Sequence, residues 1–412
     1  MWPSASKAPP DFVLIGTPDD RRVACFQAAM DGLGLPPARF VSYFDLLAGR
    51  VSLTNLVTPA SIVRIESPGK SFEAERAILA FGAEIDDPEG ERCERLPREA
   101  AEALPFDKGR ILPSRQWYLG YRELLRRIAS QVSPEQCMNQ PDDIALMFDK
   151  RACHALLEEH GLPVPPALPP ICSYENLLEQ MRQRDWTRVF VKLAHGSSAS
   201  GAVAYRFAGA RHQAITTVEI APQNGTLHLY NTRHIQVYQD QREIAALIDA
   251  LCRQRVHVEY WIPKAGYANR TFDLRVVTIA GRACHTVARL SHSPMTNLHL
   301  LNARGNLAEV EARIGPRRWQ EARQTCERAA GLFSSLYMGI DLLFTPDFTR
   351  HAILELNAFG DLLPGVLHHE QETYTSEILA ALPQMREREA KPRMRVPGTR
   401  KRSLPEAREA LC

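Results

Sequence analysis

The sequence predicts a mixed α/β protein, with a small parallel α/β domain followed by a longer region rich in antiparallel pairs. Three observations carry this reading. Short apolar runs alternate with helical periodicity over the first 83 residues, in the order strand, helix, strand, strand, helix. Past residue 139, apolar runs come in pairs joined by turn-forming residues, which marks hairpins. One such pair, Ile340–Thr345 with Ala352–Asn357, gathers oxygen donors on a single face.

Composition sets the bounds. A chain of 412 residues has room for about two or three domains with buried cores. Hydrophobic residues make up 45% and charged residues 24%, an ordinary globular balance. The formal net charge of +2 gives no argument for nucleic acid as a partner. That charge is uneven, because residues 385–412 carry nine Lys/Arg against four Glu, which leaves −3 on the rest. Such a segment, almost without apolar periodicity, predicts a disordered basic tail. Nine cysteines without CxxC or Cys/His spacing argue against a disulfide framework and a zinc site, and fit reduced thiols in a cytoplasmic protein. The start, MWPSASKAPPDFVLIG, has no basic segment leading into a long apolar run, so no signal peptide is expected. No window approaches about eighteen consecutive apolar residues, so no membrane partner is expected.

In order, FVLIG (12–16) is a strand and a helix follows from about Asp19 to Gly32. ARFVSYFDLL (38–47) and SIVRI (61–65) are further strands, and SFEAERAILAFGA (71–83) is a helix. Gly16 does not open a GxGxxG, so a tight turn is favoured over a phosphate site. ILPSRQWYLGYRELLRRIASQV (111–132) is partly helical, and Trp117 and Tyr118 either line a cleft or, the favoured reading, pack between domains. A helix from near Asp142 to His160 contains Lys150, stops at Gly161 and leads into a proline-rich connector. The strand Val189–Leu193 carries Lys192 near its end, HGSSASG (195–201) is a loop of small residues, and Ala202–Phe207 returns. Small residues let backbone N–H groups approach a polyphosphate and the adjacent Lys offsets its charge, although an ordinary surface hairpin reads the same way. Residues 215–238 are two or three short strands with a turn at Asn224–Gly225, and a helix covers Gln241–Gln254. VHVEYWIPKA (256–265) is a strand running into a proline-broken hinge, and DLRVVTIAGRACHTVARLS (273–291) a hairpin turning near Gly281–Ala283. Arg318–Met338 and Val366–Leu382 are the last helices. The pattern thus leaves a small α/β domain at the N-terminus and the tail at the other end.

Two hairpins concentrate the chemistry. With the later one centred on Phe348, Asp341 lies opposite Glu355, Leu343 lies opposite Ile353, and Asn357 shares the acidic face. The other face, Ile340, Leu342, Phe344, Ala352, Leu354 and Leu356, is wholly apolar. Facing carboxylates repel unless a cation lies between them, and an Asp, a Glu and an Asn are oxygen donors suited to Mg²⁺. A half-exposed hairpin with a polar face is the equally weighted alternative. In the earlier hairpin Arg275 faces Arg289 to within a residue of register, an arrangement that asks for an anion.

In this order, the segments resemble the ATP-grasp superfamily of ATP-dependent carboxylate ligases over roughly Asn139 to Leu382, and look closest to its uncharacterised bacterial members. FDKRACHALLEEHGLPVP resembles its opening segment, with Lys150 as first phosphate-binding lysine. FVKLAHGSSASG resembles the strand and flexible loop over the triphosphate, which gives Lys192, Gly196, Ser197, Ser198 and Gly201. HVEYWIP resembles the adenine hinge, with Glu259 and the backbone of Tyr260, Trp261 and Ile262. DLRVV and VAR resemble the segment supplying Arg275 and Arg289, and TNLH a substrate loop with Asn297, or alternatively Asn302. GIDLLF and ILELN resemble the metal-binding strands, which gives Asp341, Glu355 and Asn357. Where the family has a Pro-Gly turn after ELN, this chain has NAFGDLLPG, which leaves substrate choice open.

The resemblance implies a division into an N-terminal domain (1–138), a small lobe (139–255), a large lobe (256–384) and the tail (385–412). It implies ATP and one or two Mg²⁺ (or Mn²⁺) as cofactors. It further implies activation of a small-molecule or peptide carboxylate as an acyl phosphate, attack by an amine or other nucleophile, and a homodimer. It also makes residues 195–201 a lid that orders only with the nucleotide, beside a Lys192 already in place. A phosphotransferase on the same fold and a non-catalytic nucleotide-binding scaffold are the rival readings.

Overall fold

The computed structural model describes residues 10–69, 71–90, 93–197, 199–223 and 226–382. The expected tail, the Asn224–Gly225 turn and Ser198 lie outside the described residues. The chain opens with β1 (Asp11–Gly16), α1 (Arg21–Gly32), β2 (Arg39–Ser42), α2 (Tyr43–Leu47), β3 (Ser61–Ile65) and α3 (Phe72–Gly82). β1 lies between β2 and β3 and parallel to both, and Val13, Leu14 and Ile15 are wholly buried. The stretch 38–47 is not one strand. Ser42 accepts from the Phe44 amide and caps a helical turn instead. After α4 (Arg98–Glu102) comes α5 (Ser114–Ala129), which crosses α3 through a glycine pair. A Cβ on Gly82 or Gly120 would stand 2.1 or 2.2 Å from a carbonyl oxygen of the other helix, so no larger residue permits this approach.

The helix expected over 142–160 is two helices, α6 (Pro141–Met147) and α7 (Lys150–Glu159). Asp149 divides them. Its backbone is extended and its carboxylate accepts from the amides of Arg151 and Ala152, so Lys150 becomes the first residue of α7. Next come α8 (Tyr174–Gln183), β4 (Arg188–Leu193), β5 (Val203–Ala208), β6 (Arg211–Gln223), β7 (Thr226–Tyr238), α9 (Gln241–Cys252) and β8 (Val256–Tyr260). The strands form an antiparallel sheet ordered β7-β6-β5-β4-β8. One face buries Val189, Val191 and Val258 against Leu177, Met181 and Leu247 of α8 and α9. Alternation along β4 therefore turns Phe190 and Lys192 to the opposite face. The short strands expected over 215–238 are two 13-residue strands, and β7 is tied to the N-terminal domain through Ile111 and Asn231.

The remaining elements are β9 (Gly266–Tyr267), β10 (Arg270–Ile279), β11 (Arg282–Ser291), β12 (Ala303–Arg304), α10 (Leu307–Ile314), α11 (Pro316–Ala330), β13 (Tyr337–Phe344), β14 (His351–Asn357) and α12 (Thr373–Ala381). The helices expected over 318–338 and 366–382 are thus shorter, and β13 takes Tyr337 and Met338. The sheet runs β12-β11-β10-β13-β14, with β9 on β10. Its core is continuous with that of β1 and β3, whereas the small-lobe sheet has its own.

Two registers differ from expectation. Ala280 and Gly281, both at positive φ, close β10–β11 in a two-residue turn, and a bulge between Val277 and Thr278 then shifts the register by one, so Arg275 pairs with Val287 and Arg289 with Asp273. On β13–β14, Asp341 does pair with Glu355, but the register then shifts at a bulge. Leu342, not Leu343, meets Ile353, and Leu354 turns out of the apolar face. No helix among the described residues is long and apolar enough to cross a membrane.

Candidate active site

A cleft with about 740 Å³ of unfilled space lies between the two antiparallel sheets. β4 gives it Phe190 and Lys192, the end of β8 gives Glu259 and Tyr260, and β13 and β14 give Asp341, Leu343, Leu354 and Glu355. Lys150, Gly196, Ile262, Arg289 and Asn297 also line it. Of the residues expected here, Ser197, Gly201, Trp261, Arg275 and Asn357 do not. Gly201 is packed on Leu193 at φ +68°, and a Cβ there would stand 2.6 Å from the Leu193 side chain. Trp261 packs edge-on against Phe190, and the Asn357 amide points to the Gly339 carbonyl at 3.4 Å. Ala199 and Ser200 take the places foreseen for Ser197 and Gly201.

The lining charges are balanced: Lys150, Lys192, Lys264 and Arg289 against Glu259, Asp273, Asp341 and Glu355. Lys150 Nζ donates to Glu355 Oε1 at 2.8 Å and to the Gly196 carbonyl at 2.5 Å. Lys192 is ion-paired with Glu259, whose other oxygen is 3.5 Å from His257 Nε2. Burial alone would raise the Glu259 pKa, but Lys192 and then His257 hold it down to about 2. Asp341 accepts from Arg275 Nε at 2.5 Å and from Arg289 Nη2 at 3.1 Å. Against the effect of burial, these guanidiniums keep it below the usual carboxylate range. Asp273 accepts from Arg289 Nε at 2.7 Å, from Lys264 Nζ at 2.9 Å and from Thr296.

The arginines thus do not confront each other across an empty space awaiting an anion. The chain supplies the anions itself, because Asp341 and Asp273 lie on the same face as Arg275 and Arg289 once the register is set by the tight turn and the bulge at Val277–Thr278. Likewise the Asp341–Glu355 repulsion is relieved by cations from β10, β11 and α7. The adenine expectation also changes in part, since the Tyr260 and Trp261 amides already donate to Pro166 and Arg188 carbonyls.

Lys264, Asp273, Thr296 and Met295 line the cleft unforeseen. Asp273 had a signal, standing two residues before Arg275 on one strand face. Lys264 and Met295 had none, because they arrive from irregular segments. Asn302, the alternative to Asn297, braces the loop by donating to the Met295 and Asn297 carbonyls.

Among the described residues no group of three or more His, Cys, Asp or Glu is placed to hold a metal. Of the three donors expected for Mg²⁺, Asp341 and Glu355 face the cleft and have the hard-oxygen chemistry that suits it, whereas Asn357 does not line the cleft. Glu355 is the more accessible of the two carboxylates, with its side chain 28% exposed, whereas a cation would share Asp341 with two guanidiniums.

The loop is fixed at its base. His195 is buried, so a lid over 195–201 could move only beyond it. Burial, with Arg115 next, lowers the His195 pKa well below its ordinary value and keeps the ring neutral.

No family model matches the sequence, and no curated protein matches it. Solved structures do match. D-cycloserine synthetase DcsG is 12% identical with a TM-score of 0.52, over 90% of this chain and 98% of that one. The macrocyclase MdnC, bound with precursor peptide MdnA from Microcystis aeruginosa MRC, is 14% identical with a TM-score of 0.50, over 90% and 99%. The ATP-grasp ligase PsnB, complexed with minimal precursor, is 15% identical with a TM-score of 0.49, over 92% and 100%.

Proposed function

We propose that this chain, which has the ATP-grasp fold, is an ATP-dependent ligase that activates a carboxylate and joins it to an amine or other nucleophile. In that reaction the acid's oxygen attacks the γ-phosphorus, ADP leaves, and the nucleophile then displaces phosphate from the acyl phosphate. The observation that carries the reading is the balanced lining of the cleft. Lysines reach it from α7 and β4, and carboxylates from β13 and β14. A polyphosphate entering a neutral cleft brings excess negative charge, and a nucleotide carrying its own divalent cation offsets part of it.

The roles follow from position. Phe190, Ile262, Leu343 and Leu354 offer apolar surface for a base, beside the Lys192–Glu259 pair. Lys150 and Lys192 would leave Glu355 and Glu259 to meet phosphate oxygens, and the Gly196 backbone borders them. Asp341, Glu355 and Asn357 would hold Mg²⁺, or Mn²⁺ in its place, which when bound neutralises phosphate charge. Arg289 and Lys264, both paired with Asp273, would turn from it to meet the carboxylate substrate, with Asn297 on the rim and Arg275 fixing Asp341. Positioning and electrostatics suffice for phosphoryl transfer, so no side-chain nucleophile is assigned. The buried Cys153 is unsuited to that role, because burial pushes its thiol up to about 12.

The test is an ADP-release screen over carboxylic acids and peptides with amine partners, with mass spectrometry of the products. An amide or ester adduct supports the ligase. A phosphorylated product with no adduct replaces it by a phosphotransferase, and no ADP release under any pairing removes the catalytic reading.

A further inference from the structure

The phosphate-facing loop leaves β4 at Ala194 and His195; the N-terminal domain holds His195 directly and Ala194 through Arg255. The His195 ring stacks on Tyr118 of α5, with centroids 3.9 Å apart and planes 8° from parallel. Its Nε2 is 3.1 Å from Arg115 Nη1, and its Nδ1 is 3.2 Å from the Phe148 carbonyl. A guanidinium only donates and a carbonyl only accepts, so the ring is one neutral tautomer with its proton on Nδ1. Arg115 is fixed in turn by Asp87, at 2.8 and 2.5 Å, and by Glu89 at 3.0 Å. Glu89 also pairs with Arg255, whose backbone stands at φ +67° and whose carbonyl accepts from the Ala194 amide at 2.9 Å. Two acidic residues of one N-terminal loop therefore hold two arginines, and these secure both residues at the root of the phosphate loop. The root matters because the Ala194 carbonyl accepts from the Lys150 amide at 3.0 Å, and the Gly196 carbonyl, two residues on, meets Lys150 Nζ.

We propose that Arg115, backed by Asp87 and Glu89 and working with the Tyr118 ring, is a positioning residue that sets the root of the phosphate loop and the place of Lys150 before nucleotide arrives. The loop half of this statement stands on the free protein. The nucleotide half rests on the ATP reading of the cleft. The clamp touches no reacting atom, so its loss acts on binding more than on the chemical step.

The experiment uses the full chain and reads two arms. Hydrogen exchange of the peptide spanning 193–197, without nucleotide, reports the clamp directly. Arg115→Met removes the bond to His195 together with those to Asp87 and Glu89; it should speed that exchange about tenfold, and raise KM for ATP about fivefold to tenfold with kcat within about twofold. Tyr118→Phe keeps the ring and should behave as wild type in both arms, whereas Tyr118→Leu should repeat the Arg115→Met pattern. Tyr118→Leu spares the Asp87–Arg115 pair, so it decides the matter if Arg115→Met does not fold. Wild-type exchange and wild-type KM in a folded Arg115→Met or Tyr118→Leu overturn the proposal. So does a fall in kcat with KM unchanged. If the wild-type protein binds no nucleotide, the ATP reading fails and the exchange arm alone judges the clamp.

Discussion

The two walls of the cleft neutralise their charges in opposite ways. On the β10–β11 and β13–β14 wall, Asp273, Arg275, Arg289 and Asp341 stand on neighbouring strands and satisfy one another through register alone. On the facing wall, the loop after β4 is held by Lys150 of α7, by α5 and, through Arg115 and Arg255, by an N-terminal loop, all remote from it in sequence. On the first wall those four charges are buried and paired before any ligand arrives, whereas Glu355 on the same wall reaches across to Lys150. The second is assembled from separate pieces, and its lysines exchange a protein partner for a ligand more readily. A site that must hold a charged substrate and also let it leave gains from having one wall of each kind.

Asp341 and Glu355 give the largest expected effect, and they separate the walls. Each lost carboxylate, in Asp341→Asn and Glu355→Gln, should lower Mg²⁺-dependent ATP turnover by about a hundredfold or more. Only Asp341→Asn should also lower stability, by about 3 kcal/mol, because it leaves buried Arg275 and Arg289 short of a counter-charge. Denaturant melts of the two proteins side by side check this, and equal loss in both would erase the contrast. Lys192→Ala comes next, with an expected rise of about tenfold to a hundredfold in KM for ATP. It also strands Glu259, whose pKa should climb from about 2 toward the neutral range as burial loses its opponent; a carboxyl titration by NMR reads it. Gly201→Val should reduce turnover about tenfold while changing nucleotide affinity less, because φ +68° and Leu193 both exclude a branched side chain. A larger effect on affinity than on turnover would group the loop with the first, pre-paired wall.

The smallest effect lies away from the cleft. Arg64 of β3 is shared by Glu66 and Glu377 in a fully buried cluster, and burial pushes Glu377 up to about 7 despite Arg64. A carboxyl with its folded pKa above its unfolded one stabilises the fold when protonated, so that contribution is lost as pH rises through about 7. Between pH 6 and pH 8, wild-type stability should therefore fall relative to Glu377→Gln. Parallel stability curves for the two proteins would show that Glu377 stays ionised throughout.

What the sequence made legible follows the same division. Asp341 opposite Glu355 could be read from hairpin symmetry, because strand pairing is local and has period two. The partners of Arg275 could not be placed, because a two-residue turn with positive φ at Ala280 and Gly281, followed by a bulge at Val277–Thr278, moved the hairpin's centre back from the neighbourhood of Arg282. Leu354 was misplaced by a bulge that no residue type announces. Lys150 was recognisable as a site residue only through resemblance. Its true setting, first in α7, depends on Asp149 acting as a cap within an otherwise continuous helical pattern. His195 read as part of a mobile loop because its partners, Arg115 and Tyr118, lie about eighty residues upstream and nothing local points to them.

The central claim is that this cleft is a nucleotide site whose β13–β14 wall requires a divalent cation. Calorimetric titration of the full chain with a non-hydrolysable ATP analogue, with and without Mg²⁺, tests it most directly. The account predicts binding that strengthens at least about tenfold with Mg²⁺ in the wild type, and a Mg²⁺ effect that disappears in Glu355→Gln while metal-free binding persists. No binding by the wild type, or equal affinity with and without Mg²⁺, would contradict it.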